Sequence, residues 1–128
     1  MKIQIILIVA CLTVVACDKM KKDKVSPEVT ITSPTIGYSV ADSTTISIGG
    51  SMSDEGELHE ALVKITRDSD GVVLFSTAPT VGELTSYTLN ESYVSPAVSV
   101  STNVTLTVTA VDHTPNTTTK TVAFVIHP

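Results

Sequence analysis

Two short stretches, "SDEGELH" (53–59) and "VDHTPN" (111–116), hold residues whose types could bind a cation. Asp54, Glu55, Glu57 and His59 lie in the first, and Asp112, His113 and Asn116 in the second. The chemistry divides by donor. Calcium takes six to eight oxygen ligands, and Asp54, Glu55, Asp112, Asn116 and loop carbonyls offer several. Zinc and its first-row neighbours favour imidazole, which His59 and His113 offer, with Asp112 or Glu57 as a carboxylate partner. A plainer alternative stands beside both. Asp54 and Asp112 fold their side chains back onto the backbone as turns, Asn116 takes a tight backbone conformation, and the other charges are solvated. Apart from calcium or zinc at this place, nothing implies a cofactor.

Catalytic patterns are missing from the sequence: it has no H-E-x-x-H, no G-x-S-x-G, no phosphate-binding loop and no dinucleotide fingerprint. His59 and Glu60 are neighbours on a predicted strand, which would send them to opposite faces and prevent joint action on one atom. Asp68-x-Asp70-Gly71 begins like a calcium loop but lacks the later ligands, and reads as a hairpin turn. No enzymatic activity is expected.

The first residues explain an isolated thiol. Met1-Lys2 is followed by "IQIILIVACLTVVA" (3–16), an apolar run that ends in small residues, and then by Cys17 and a lysine-rich stretch. A helix over this run would reach roughly 21 Å, short of the ~30 Å hydrocarbon core, so a signal peptide is favoured over a membrane span. Val14-Val15-Ala16-Cys17 resembles the lipobox of bacterial lipoproteins. That resemblance implies cleavage after Ala16 and a diacylglyceryl thioether on Cys17. At about 0.8 kcal/mol per buried methylene, two or three acyl chains anchor a protein to a bilayer almost permanently. The other cysteine, Cys11, lies in the segment removed, so no thiol would remain for a disulfide or a metal.

Three divisions follow: a signal peptide (1–16), the lipidated Cys17 with a flexible tether (17–27), and one domain (28–128). "DKMKKDKVSP" (18–27) carries four lysines against two aspartates and has no apolar periodicity. From residue 28 onward the balance reverses: Lys64, Arg67 and Lys120 face eleven carboxylates, a formal −8. Such a domain offers no basic surface for nucleic acid. The expected location is the cell envelope, at an outer membrane or cell surface rather than an inner membrane. The expected contacts are the bilayer, through acylated Cys17, and an envelope protein or glycan.

The domain's own fold is written in alternation. "TTISIGGSMSD" (44–54) places Ile46, Ile48, Gly50 and Met52 on one face, and "ALVKITR" (61–67) does the same with Ala61, Val63 and Ile65. "NVTLTVTAVD" (103–112) sets Val104, Leu106, Val108 and Ala110 inward and threonines outward. With "VTITSP", "GVVLFST", "LTSYTLN" and "TKTVAFVI" the count is seven strands, the pattern of an all-β antiparallel sandwich. "SPEVTITSPTIGYSV", "GGSMSDEGELHEALVKI" and "LTVTAVDHTPNTTTKTVAFVI" resemble bacterial immunoglobulin-like domains, in particular the cadherin-like domains of lipoproteins in outer-membrane bacteria. The resemblance implies an immunoglobulin-like sandwich in which the two acidic stretches meet at one end. It implies no activity, and suggests a structural, adhesive or binding accessory.

Overall fold

The structure is a computed structural model that describes residues 24–128. All its regular elements are strands: β1 (Glu28–Ser33), β2 (Ser39–Ala41), β3 (Thr45–Ser53), β4 (Leu58–Arg67), β5 (Val73–Thr77), β6 (Ser86–Val94), β7 (Thr102–Asp112) and β8 (Thr117–His127). They form a three-stranded sheet ordered β1-β3-β6 and a five-stranded sheet ordered β2-β8-β7-β4-β5. Two facing sheets with this strand order make an immunoglobulin-like sandwich.

One expectation needs correcting in number and direction. The described residues form eight strands, one more than the seven counted in the sequence, and the additional one, β2, runs parallel to β8. After β1 the chain leaves the three-stranded sheet and adds Ser39–Ala41 to the edge of the other. Three residues are too few for a periodicity to show, so this strand has no signature in the sequence.

Beta-branched and aliphatic side chains at alternate positions explain the rest. Val104, Leu106, Val108 and Ala110 of β7 are each 0% exposed, and the opposing Ile46, Ile48 and Met52 of β3 are at most 1%. Threonines occupy the intervening positions of β7, and the Thr109 and Thr119 hydroxyls meet across the β7–β8 pair at 3.0 Å. Without tryptophan or a disulfide in the domain, this aliphatic layer must supply the cohesion.

Gly50 interrupts the apolar series of β3 for a steric reason. A Cβ there would lie 2.1 Å from the Thr30 carbonyl oxygen of the neighbouring β1. The two backbones can approach only because the side chain is missing. The β4–β5 hairpin turns as expected: Gly71 has φ +72°, its N–H donates to the Arg67 carbonyl at 2.8 Å, and the Asp70 carboxylate accepts from Arg67 Nη2 at 2.7 Å.

The register makes a measurable claim. Leu106→Ala should cost about 2–5 kcal/mol in chemical denaturation, and Thr107→Ala well under that. Gly50→Ala should cost about 1–3 kcal/mol, because β1 and β3 must part to admit a methyl group. Equal effects at positions 106 and 107 would contradict the inward face assigned to β7.

Candidate functional site

The inward alternation of two strands runs on past their apolar residues into carboxylates. In β7 the series Val104, Leu106, Val108, Ala110 continues to Asp112, which is 2% exposed. In β3 the series Ile46, Ile48, Gly50, Met52 continues beyond the strand end to Asp54, which is 7% exposed. The β3–β4 and β7–β8 turns therefore share one pole of the sandwich, as the sequence implied, and the rings of His59 and His113 touch there with centroids 4.6 Å apart.

Asp112 is fully engaged. Its Oδ1 accepts from the N–H groups of Thr114 at 2.7 Å and Asn116 at 2.8 Å, and its Oδ2 accepts from Asn116 Nδ2 at 2.6 Å. The Thr114 hydroxyl reaches both oxygens, at 3.1 and 3.2 Å. Desolvation of the carboxylate acts to raise its pKa, but the bonds from Asn116 and Thr114 together outweigh it and hold it below the usual value. Asn116 also donates to the Val25 carbonyl at 3.2 Å, tying the start of the domain to the β7–β8 turn. Packing thus begins before residue 28, and Pro27 is already buried.

Asp54 is only half engaged. Its Oδ1 accepts from Gly56 N–H at 2.7 Å, forming the expected turn, while its buried Oδ2 has no hydrogen-bond partner. The backbone position that takes a left-handed conformation is not Asn116 but Glu57, at φ 72°. Glu55 and Glu57 are exposed. Asp54 and Glu55 line a shallow cleft with Ser26, Glu28, Ser53 and Thr85.

A β-bulge changes the reading of His59 and Glu60. Register in the β4–β7 pair shifts between Leu58 and Glu60, so these two flank an extra residue, His59. Both side chains are exposed, and His59 Nε2 stands 3.8 Å from Glu60 Oε1. They do not lie on opposite faces. The cause is the loop 78–85, which takes over the backbone of Leu58: the Leu58 N–H donates to Leu84 at 2.8 Å, and its carbonyl accepts from Glu83 at 2.9 Å. Val81 of that loop is 1% exposed and seats it in the core. The sequence did contain a signal. Leu58 and Ala61 are both buried yet three apart, which strict alternation forbids.

Six of the seven candidate residues therefore divide into three pairs. Asp112 and Asn116 close a turn, Asp54 with Glu55 faces the cleft beside residues 26–28, and His59 with His113 forms an exposed ring pair. Glu57 stands between them on the turn. Among the described residues, no three His, Cys, Asp or Glu side chains stand already gathered as a ligand set for a metal ion. Cys17 lies outside the described residues.

No family model and no curated protein matches the chain. Among solved structures, it is similar to the fibronectin(III)-like modules of Clostridium thermocellum CbhA, with 18% identity and a TM-score of 0.48 over 77% of this chain and 94% of that one. It is also similar to CopC from Methylosinus trichosporium OB3b, with 14% identity and a TM-score of 0.48 over 79% and 95%. Murine CRIg gives 13% identity and a TM-score of 0.48 over 79% and 96%.

The Asp112 network has a pH signature. A carboxyl group whose pKa is depressed by folding stabilises fully above its unfolded value, near about 4, and loses that contribution as pH falls through the lower folded value. Asp112→Asn should lower the melting temperature at pH 7, because an amide nitrogen cannot accept the bonds that the lost oxygen took. The gap from the wild type should hold down to about pH 4 and shrink below it. A gap unchanged at pH 2 would show that the charge on Asp112 is immaterial.

Proposed function

We propose that this chain is a lipid-anchored protein of the cell envelope that displays a single immunoglobulin-like domain as a binding, adhesive or structural accessory. The observation that carries the reading is the run Val14-Val15-Ala16-Cys17 after an apolar segment and before a lysine-rich stretch. The domain's layout supports it. The chain enters at the pole of Asp54 and Asp112, where Val25 is bonded to Asn116. That pole faces the membrane, and the opposite one is presented outward.

The outward pole offers a shallow cleft between the β4–β5 hairpin and the β6–β7 connection, bordered by Arg67, Asp70, Val98, Val100 and Asn103. It combines hydroxyls, exposed valine, the Arg67–Asp70 ion pair and the Asp68 carboxylate, which suits a protein or glycan surface better than a small anionic substrate. The domain's formal −8 disfavours nucleic acid.

A second reading, cation binding at the membrane-side pole, is favoured by the Asp54 Oδ2 atom. A buried carboxylate oxygen without a donor costs free energy that a hard cation would recover, and every side-chain donor lining that cleft is an oxygen. Calcium at millimolar concentration should then raise the melting temperature, and Asp54→Asn should abolish the rise. A rise no larger than that in matched ionic strength would remove this reading.

The anchoring itself is tested by mass spectrometry of membrane-extracted protein. The expected result is an acylated N-terminus at Cys17 with residues 1–16 absent. A Cys17→Ser protein should leave the membrane fraction, and one that stayed there in full would overturn the proposal.

A further inference from the structure

The geometry points to a surface site for a first-row transition-metal ion, zinc or copper class, built from His59 and His113 and completed by Glu60 and water. This inference is independent of the anchoring reading, and it corrects the ligand set that the sequence suggested. Asp112, the obvious carboxylate partner, has both oxygens committed to Thr114 and Asn116. Glu60, which alternation had excluded, is the carboxylate beside His59, with Oε1 3.8 Å from Nε2.

Three observations carry the argument. The two rings are in contact at 4.6 Å between centroids and inclined at 45°, near enough for both imidazoles to reach one ion, which zinc binds at about 2.0–2.1 Å. Each ring is held by a fixed backbone. His113 follows Asp112 directly and lies within the turn that its carboxylate braces, and His59 is the extra residue of a bulge imposed by the loop 78–85. Bulges re-aim side chains, and this one sends two successive residues to solvent. The third group is within reach and uncommitted to the core: the Glu60 side chain is 73% exposed, and Oε1 is 3.8 Å from His59 Nε2.

The donor set decides the metal class. Two neutral imidazoles and one carboxylate suit zinc, copper(II) and nickel(II), and suit calcium or magnesium poorly. With Glu60 swung in as the third protein ligand, water would fill the remaining position and leave the site open to an external ligand. Glu55 and Glu57, on the turn leading to β4, add negative potential that favours a cation at this pole.

The test is a zinc titration of the full-length chain in detergent, against a competing chromophoric chelator, with calcium as the control cation. One zinc per chain should bind. His59→Gln and His113→Gln should each weaken it at least tenfold, and the double variant should leave no saturable binding. Glu60→Gln should weaken it by a smaller factor. A chain with both Cys11→Ser and Cys17→Ser should bind as the wild type does, which excludes a thiolate as the ligand. All three positions are exposed, so melting temperatures without metal should stay near the wild type and separate lost ligands from lost fold. Wild-type affinity in either single histidine variant, or one zinc per two chains, would overturn the site.

Discussion

The period-two register of β7 fixes more of this molecule than any other feature. Because every second side chain must point inward, the strand that delivers Val104, Leu106, Val108 and Ala110 to the core also delivers Asp112. A carboxylate cannot be left there bare, so the chain following β7 must supply donors at once. Thr114 and Asn116 do this within four residues. The shape of the β7–β8 turn is the consequence. β3 repeats the arrangement, with Asp54 continuing the inward series of Ile46, Ile48 and Met52. Two apolar ladders thus end in acids at one pole, and the two acids are satisfied unequally.

That inequality organises the pole. Asp112 binds donors through both oxygens, and through Asn116 it reaches the Val25 carbonyl, so the start of the domain is clasped by its last turn. Asp54 is braced on one oxygen by Gly56 and left unpartnered on the other. Between them the loop 78–85 inserts Val81 into the core and captures both backbone groups of Leu58. The resulting bulge lets Leu58 stay buried at the head of β4 while Ala61, Val63 and Ile65 keep their inward places. His59 and Glu60 absorb the extra residue at the surface. A core demand therefore sets the positions of two exposed, chemically capable side chains.

How much of this was legible follows from the range of each interaction. The strands read correctly from the sequence wherever a run of alternation exceeded about four residues, because inward burial leaves a pattern at every second position. "ALVKITR" reads as strand for that reason, and it forms most of β4. β2 was invisible, since three residues pairing through their backbones with β8 leave no side-chain pattern. The meeting of the two acidic stretches was legible through the expected fold. Its internal division was not, because it depends on a bulge and on a loop 20 or more residues away that carries no periodic signal. The odd spacing from Leu58 to Ala61 was the available clue, and it needed the burial of both residues to become meaningful.

Charge gives the two poles different characters. The outer sheet faces present mainly hydroxyls, with Thr105, Thr107 and Thr109 of β7 set against Ala123, Thr121 and Thr119 of β8. Carboxylates gather instead at the pole where the chain enters, as Glu28, Glu55 and Glu57. At the far pole Arg67 and Asp70 neutralise each other in a two-pronged contact at 2.9 and 2.7 Å. That hydrogen bond is the first cause of the depressed Asp70 pKa and of the raised Arg67 pKa, although both side chains are too exposed for the pair to add much stability. On the anchoring proposed above, an acidic pole would face anionic headgroups within the ~8 Å Debye length of physiological salt, and the bilayer would repel it. The lysines at 19, 21, 22 and 24 would be drawn to the same surface. Opposite charge on tether and pole would then hold the domain off the membrane, with the hydroxyl-rich pole outermost and free to meet a partner.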